Sequence, residues 1–177
     1  MPRVVWRLSG DEMNNVRTID THTHVLTEET AALLLKEAQK VPVIITPIDA
    51  EFATLDVGGV VYRPFPRGGF DLAHRLRDMD AMSVDVQVLS ATPQTYLYNQ
   101  DASLGATTAA IQNDQIAKLV KQNPQRFMGI ATLPMQAPER AAADIKRAMT
   151  KLGLRGTMFA SNIMGKYLDD PSFEPAW

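Results

Sequence analysis

Two of the three histidines in the chain, His22 and His24, lie one residue apart in the segment Asp20-Thr21-His22-Thr23-His24. In an extended strand, side chains two residues apart point to the same face, so both imidazoles can approach one ion while Thr23 faces away. Imidazole nitrogens are frequent ligands of transition metals. The spacing therefore predicts half of a metal site, with two surface histidines paired by chance as the alternative.

The composition narrows the chemistry of such a site. The sequence has no cysteine, so a metal must be held by His, Asp, Glu or water, which favours zinc, iron or manganese. The third histidine, His74, lies on a predicted helix two residues from both Leu72 and Leu76, which belong to the apolar face of that helix. We expect His74 to be a solvent-exposed helix residue, with a metal role as the disfavoured alternative.

Length and charge exclude several other classes of protein. The 177 residues, of which 45% are hydrophobic, are enough for one globular domain. A net charge of −2 without a basic patch argues against nucleic-acid binding. No apolar run approaches the roughly 20 residues that cross a bilayer, and no signal peptide is evident, so we expect a cytoplasmic protein without membrane contact.

The elements around the histidine pair alternate regularly. Strand-like segments are predicted at 16–20, 84–90, 127–133 and 157–160, and helical segments at 28–40, from 71 onward, 102–122 and 138–152. This βαβαβαβ order predicts parallel strands joined by right-handed crossovers. Both a small open sheet and part of an eight-stranded barrel fit it. No glycine-rich phosphate-binding motif follows a strand, so a nucleotide-binding open sheet is not supported.

Two segments interrupt this order. Residues 1–15 are polar and irregular and predict an N-terminal arm. Residues 41–70 contain four prolines and four glycines, which predicts an inserted loop with short strands at 43–45 and 60–62. Long insertions of this kind often cover active sites.

An ordered series of motifs resembles the decarboxylase branch of the amidohydrolase superfamily from residue 19 to the end of the chain. The motifs are Ile19-Asp20-Thr21-His22-Thr23-His24, Tyr62-Arg63-Pro64, Asp78-Met79-Asp80, Val84-Asp85-Val86-Gln87-Val88-Leu89-Ser90-Ala91-Thr92-Pro93, Asn123-Pro124-Gln125-Arg126-Phe127, Thr132-Leu133-Pro134-Met135-Gln136-Ala137-Pro138-Glu139 and Leu152-Gly153-Leu154-Arg155-Gly156. One departure is Asn162, which stands where close relatives commonly have a histidine. The resemblance therefore leaves the substrate open.

The resemblance implies an α/β fold of the TIM-like (β/α)₈ barrel type. Residues 16–177 would be the N-terminal half of one barrel domain, truncated to about the first four βα units. It also implies one divalent metal, with zinc expected, held in part by His22 and His24. The family's further ligands, a histidine of the fifth barrel strand and an aspartate of the eighth, and its catalytic histidine of the sixth are absent from this chain.

The implied activity is the metal-dependent, non-oxidative decarboxylation of an unsaturated or aromatic carboxylic acid. Arg63 matches the family arginine that binds a substrate carboxylate, with a solvated loop arginine as the alternative. A hydrolase or hydratase on the same barrel, and a non-catalytic half-barrel, remain rival hypotheses. Four strands without their neighbours leave open edges, so we expect a homo-oligomer or association with a missing C-terminal half.

Overall fold

The computed structural model describes residues 17–37 and 41–177. The predicted N-terminal arm and the last residues of the first predicted helix lie outside this part. The strands are β1 (Ile19–Val25), β2 (Val43–Pro47), β3 (Phe52–Val57), β4 (Val60–Pro66), β5 (Val86–Ala91), β6 (Phe127–Gly129), β7 (Asn162–Ile163) and β8 (Lys166–Tyr167). The α-helices are α1 (Glu28–Lys36), α2 (Leu72–Ala81), α3 (Ala102–Gln122) and α4 (Pro138–Thr150), and short 3-10 turns cover Arg67–Gly69, Pro93–Thr95 and Pro171–Ala176.

A parallel sheet in the order β1-β5-β6 forms the centre of the molecule. The predicted α/β fold with parallel strands is therefore confirmed. The fourth predicted strand, 157–160, is reduced to one parallel bridge between Ala131 and Thr157. That bridge still extends the parallel order by one position beyond β6.

The helices begin where the sequence supplies capping side chains. Asp71 accepts a hydrogen bond from the backbone N–H of His74 at the start of α2, and Asp101 does the same for Leu104 at the start of α3. Such caps satisfy backbone donors that have no partner inside the helix. The observed α3 has the predicted bounds. Within the described part of the chain, no helix combines the length and apolar character needed to cross a bilayer.

One apolar core joins these helices to the sheet. Its members come from the three strands of the sheet and from α2, α3 and α4, and they include Leu89, Phe127, Met79 and Ile116, each at most 1% exposed. Met79 lies on the apolar face of α2 that also carries Leu72 and Leu76, so the core contribution of this helix follows from the spacing of its apolar residues. The core holds β1 and β5 side by side, and this positions the candidate ligands.

The segment predicted as an inserted loop is mostly an antiparallel sheet, β2-β3-β4. The expected short strands are longer than predicted, and β3 was not predicted at all. Prolines are tolerated because β2 and β4 are the two outer strands, where a missing N–H breaks no ladder bond. Gly58 and Gly59, with φ of 59° and 89°, form the tight turn between β3 and β4. The prolines and glycines of this segment therefore mark the edges and the turn of a sheet.

Candidate metal site

His22 and His24 lie side by side on β1. Their ring centroids are 4.8 Å apart and the ring planes are inclined by 83°. His22 is exposed and His24 is half-buried. The rings neither point apart nor lie on opposite faces of the strand, so one cation can be approached by both.

The hydrogen bonds of His24 select one of its nitrogens as the available ligand atom. Nδ1 lies 3.1 Å from the backbone oxygen of Ala91 and 2.9 Å from the hydroxyl of Ser90. The Ser90 hydroxyl donates its own hydrogen to the backbone oxygen of Thr23. We therefore assign the imidazole proton to Nδ1, which leaves the lone pair on Nε2. A backbone contact of this kind fixes the tautomer of many metal-binding histidines.

The environment of His24 favours its neutral form. Burial lowers the pKa of His24, and the charges of His22 and Arg75 lower it further, against the opposing effect of the hydrogen bond to Ala91. A neutral imidazole is the form that binds metals. The donor set thus fits a divalent cation, although two imidazoles supply only part of a coordination shell.

Two concave surfaces meet at the histidine pair. A cavity of about 490 Å³ is lined by both rings and by Tyr62, Phe65, Arg75, Asp78, Gln87 and Gln94, among others. A more open cleft of about 500 Å³ also contacts both rings, and includes Tyr96, Tyr98, Asn99, Phe159 and Asn162. Apart from the two histidines and Val60, the residues of the cleft follow β5 or Thr157 in the chain. The pair therefore lies at the carboxyl ends of the parallel strands, where α/β enzymes place their ligands.

Arg63 lies on β4, exposed, between Tyr62 and a cis peptide bond to Pro64. The cavity is lined by its neighbours Tyr62 and Phe65, so the strand that carries Arg63 borders the space beside the histidines. The structure thus brings the segment of Arg63 to the site, whereas Arg63 itself is exposed and is not among the residues that line the cavity.

The prediction that His74 is solvent-exposed is wrong, because the residue is only 5% exposed. His74 Nε2 lies 2.8 Å from Glu51 Oε2 and 3.6 Å from Asp78 Oδ1. Glu51 belongs to the turn between β2 and β3, 23 residues away in sequence. Helical spacing alone could not reveal this partner, since the inserted sheet brings it over α2.

Glu51, His74 and Asp78 together form a second group that could hold a metal ion. The hydrogen bonds argue against it. Arg77 Nη2 lies 2.8 Å from His74 Nδ1, and a guanidinium can only donate, so Nδ1 accepts and Nε2 carries the proton directed at Glu51. A cation on Nε2 would require the opposite tautomer, with two N–H groups facing each other. We interpret this group as a hydrogen-bonded contact between the inserted sheet and α2.

Sequence reasoning missed Ser90, Gln87 and Arg75, all of which are buried and contact the β1 segment. Gln87 offered a signal, because it is a polar residue between valines of a β-branched strand. Arg75 offered none, since a helical arginine is most often solvated. Burial lowers the pKa of Arg75 to about 10, opposed by the charges of Asp20 and Asp78, so its guanidinium is charged at neutral pH.

A parallel α/β sheet with paired imidazoles at the carboxyl end of its first strand is an arrangement suited to a metal-dependent enzyme. The amidohydrolase family model (Amidohydro_2) matches residues 19–177, and the chain therefore belongs to this family. The predicted resemblance is confirmed.

Similar proteins are decarboxylases. The chain is 34% identical over 157 residues to 2-amino-3-carboxymuconate-6-semialdehyde decarboxylase of Dictyostelium discoideum, covering 89% of this chain and 44% of that protein. It is 31% identical over 109 residues to gamma-resorcylate decarboxylase of a Polaromonas species, covering 58% of this chain and 33% of that protein. The chain thus spans less than half of either relative.

Solved structures agree with the sequence relatives. The crystal structure of 5-carboxyvanillate decarboxylase from Sphingomonas paucimobilis superposes with a TM-score of 0.69 at 31% identity, over 90% of this chain and 47% of that one. The enzyme of the same name from Novosphingobium aromaticivorans superposes with a TM-score of 0.70 at 25% identity, over 92% of this chain and 46% of that one. The latter structure contains manganese and 4-hydroxy-3-methoxy-5-nitrobenzoic acid.

Proposed function

We propose that this chain is part of a metal-dependent, non-oxidative decarboxylase that acts on an aromatic or unsaturated carboxylic acid. The observation that carries the proposal is the pair of rings of His22 and His24, 4.8 Å apart, at the carboxyl end of the parallel sheet. The relatives that match this chain are named as decarboxylases of such acids, which supports the reaction class.

His22 and His24 would hold the cation, with His24 binding through Nε2. Zinc was expected from the resemblance, whereas a structural relative contains manganese, so a divalent cation is the proposal and both ions enter the test. Two neutral imidazoles leave the double positive charge on the metal, so we expect at least one carboxylate ligand in addition. When bound, such a cation acts as a Lewis acid that stabilises developing negative charge.

The remaining residues of the site would bind and orient the acid. Arg63 is the proposed carboxylate ligand, because a planar guanidinium holds a carboxylate through two parallel hydrogen bonds. The cavity of about 490 Å³ lies within the range of roughly 300–1,000 Å³ that is typical of small-molecule sites. Tyr62 and Phe65 supply apolar walls that would exclude water from an aromatic ring.

We infer that residues 16–177 form the N-terminal half of an eight-stranded barrel. In the described part of the chain β1 is an outer strand of its sheet, and exposed strands of this kind recruit another strand. Ile19 and Met128 add apolar surface that is 47% and 40% exposed. A second copy of the chain or a C-terminal half would cover these edges and supply the missing ligands.

The test uses the polypeptide that contains this chain, loaded with Mn²⁺ or Zn²⁺ and incubated with 2,6-dihydroxybenzoate and 5-carboxyvanillate. We expect CO₂ release that stops after chelation and in His22→Ala. Arg63→Lys should raise KM more than it lowers kcat, because a lysine cannot form the two parallel bonds.

Lys36→Ala is the matched control, since it alters an exposed residue on α1. Incorporation of water without CO₂ release would replace the proposal with a hydrolase or hydratase. A protein that binds neither ion through His22 would instead support a non-catalytic half-barrel.

A further inference from the structure

The backbone ladder is interrupted at the first histidine of the pair. Asp20 is paired with Gln87 and Thr23 with Leu89, with a register shift between them. Two residues of β1, Thr21 and His22, therefore oppose a single residue of β5. A bulge of this kind re-aims side chains, and it also leaves the extra residue without its regular ladder bonds. Some other contact must hold His22 in place.

Side chains replace the missing ladder bonds. The His22 backbone N–H donates to Asp20 Oδ1 over 3.1 Å, and Asp20 Oδ2 accepts from Gln87 Nε2 over 3.2 Å. Gln87 Oε1 accepts from Arg75 Nη1 over 2.9 Å. Arg75 Nη2 then donates to the backbone oxygen of His24. These contacts, which we call the Asp20–Gln87–Arg75 circuit, connect the backbones of both candidate ligands.

Burial makes the circuit sensitive to the loss of any member. Gln87 and Arg75 are each only 6% exposed, so water cannot readily replace a lost partner. A buried amide or guanidinium without a partner is unfavourable. The opposite charges of Asp20 and Arg75 are linked through the Gln87 amide, which can accept from one and donate to the other. An apolar residue or a carboxylate at position 87 cannot do both.

We propose that Gln87 and Arg75 are positioning residues, which through Asp20 fix the spacing of His22 and His24 for metal binding. This inference rests on the proposed function for its metal part. Its structural part, the tethering of the bulged backbone, can be tested on the chain without any metal.

The first experiment measures amide hydrogen exchange at His22 in the metal-free chain. Gln87→Leu should accelerate exchange at His22, because Asp20 loses the donor that holds its carboxylate under the bulge. Arg75→Met should act in the same direction. Arg77→Met is the matched control, since Arg77 lies on the same helix and bonds to His74 outside the circuit. Equal exchange at His22 in the parent chain and both circuit variants would overturn the inference.

The second experiment measures Co²⁺ binding by its visible absorption, in the same variants and in His22→Ala. We expect affinity to fall by roughly 10- to 100-fold in Gln87→Leu and Arg75→Met, and to stay unchanged in Arg77→Met. If the parent chain binds Co²⁺ independently of His22, the proposed function and the metal part of the inference fail together. If binding depends on His22 but not on Gln87 and Arg75, only the positioning role fails.

A double variant that exchanges the amide and the carboxylate between positions 87 and 20 distinguishes positioning from general destabilisation. Gln87→Glu places a carboxylate beside that of Asp20, and should weaken Co²⁺ binding and speed exchange at His22. Adding Asp20→Asn restores a donor toward position 87 while keeping an oxygen for the His22 N–H. We expect the double variant to recover the parent's exchange rate and Co²⁺ spectrum. A double variant worse than Gln87→Glu alone would contradict the circuit.

Discussion

The parallel sheet and the inserted antiparallel sheet differ in how they are attached to the rest of the protein. The parallel sheet is covered by helices, and its core side chains Leu89 and Phe127 contact residues of α2 and α3. The inserted sheet buries only one face, where Leu55 and Phe65 pack with Leu26 and Leu34. The tip of the inserted sheet, which is the turn between β2 and β3, is attached to α2 through the contact of Glu51 with His74. Arg67, in the 3-10 turn before α2, donates a further hydrogen bond to the backbone oxygen of Ala50 in this tip.

The two sheets contribute different parts of the candidate site. The parallel sheet carries His22 and His24, and the proposed metal binding requires both to be held rigidly. The inserted sheet contributes Tyr62 and Phe65 to the wall of the same cavity. A wall attached by one apolar face and a few polar contacts can open more readily than the sheet beneath it.

The sharpest test of this contrast compares two fully buried leucines, one in each sheet. Leu89→Ala should lower the free energy of unfolding by about 2–5 kcal/mol, because Leu89 is central to the helix-covered core. Leu55→Ala removes a side chain that is equally buried. Its effect on hydrogen exchange should be largest in β2, β3 and β4. Denaturant unfolding and exchange would show both effects.

Faster exchange across β1 and β5 in Leu55→Ala, as large as that in the inserted sheet, would show that the two sheets unfold as one unit.

A smaller effect concerns the pH dependence of folding stability that arises from His24 in the parallel sheet. Burial holds the pKa of His24 below its ordinary value of 6.5, so the unfolded chain binds this proton more readily than the folded chain. The folded state therefore keeps its full stability above pH 6.5, and it loses stability as the pH falls toward the pKa that His24 has in the folded state. His24→Gln should therefore flatten the decline in stability on acidification below that pH, as measured by urea unfolding.

Glu51→Gln serves as the comparison for this experiment, because Glu51 belongs to the inserted sheet and not to the parallel sheet that carries His24. An acid decline that is just as steep in His24→Gln as in the parent chain would exclude His24 as its source.

The smallest expected effect concerns the attachment of the inserted sheet to α2. Glu51→Gln weakens the contact with His74 Nε2, and since the Glu51 side chain is 60% exposed we expect a loss of at most about 1 kcal/mol. Glu29→Gln is the matched control, because it alters the exposed ion pair with Lys118. Thermal unfolding would measure both variants. If Glu29→Gln costs more than Glu51→Gln, the contact at the tip is no stronger than an ordinary surface pair.

The parallel sheet could be predicted because its signals are local. Apolar residues at helical spacing, capping aspartates at positions 71 and 101, and the β-branched run around Val86 each act within a few residues of sequence. The spacing of His22 and His24 placed both rings on one face for the same reason. The inserted sheet was harder to predict, because its prolines and glycines are equally typical of a loop.

The contacts that depend on folding could not be inferred from spacing. Arg75 and Gln87 are 12 residues apart, and His74 meets a glutamate from a different sheet. A side chain is buried or exposed according to what the rest of the chain places over it. The order of residues therefore specifies the strands, helices and paired imidazoles, whereas the packing of distant segments determines which polar groups support those imidazoles.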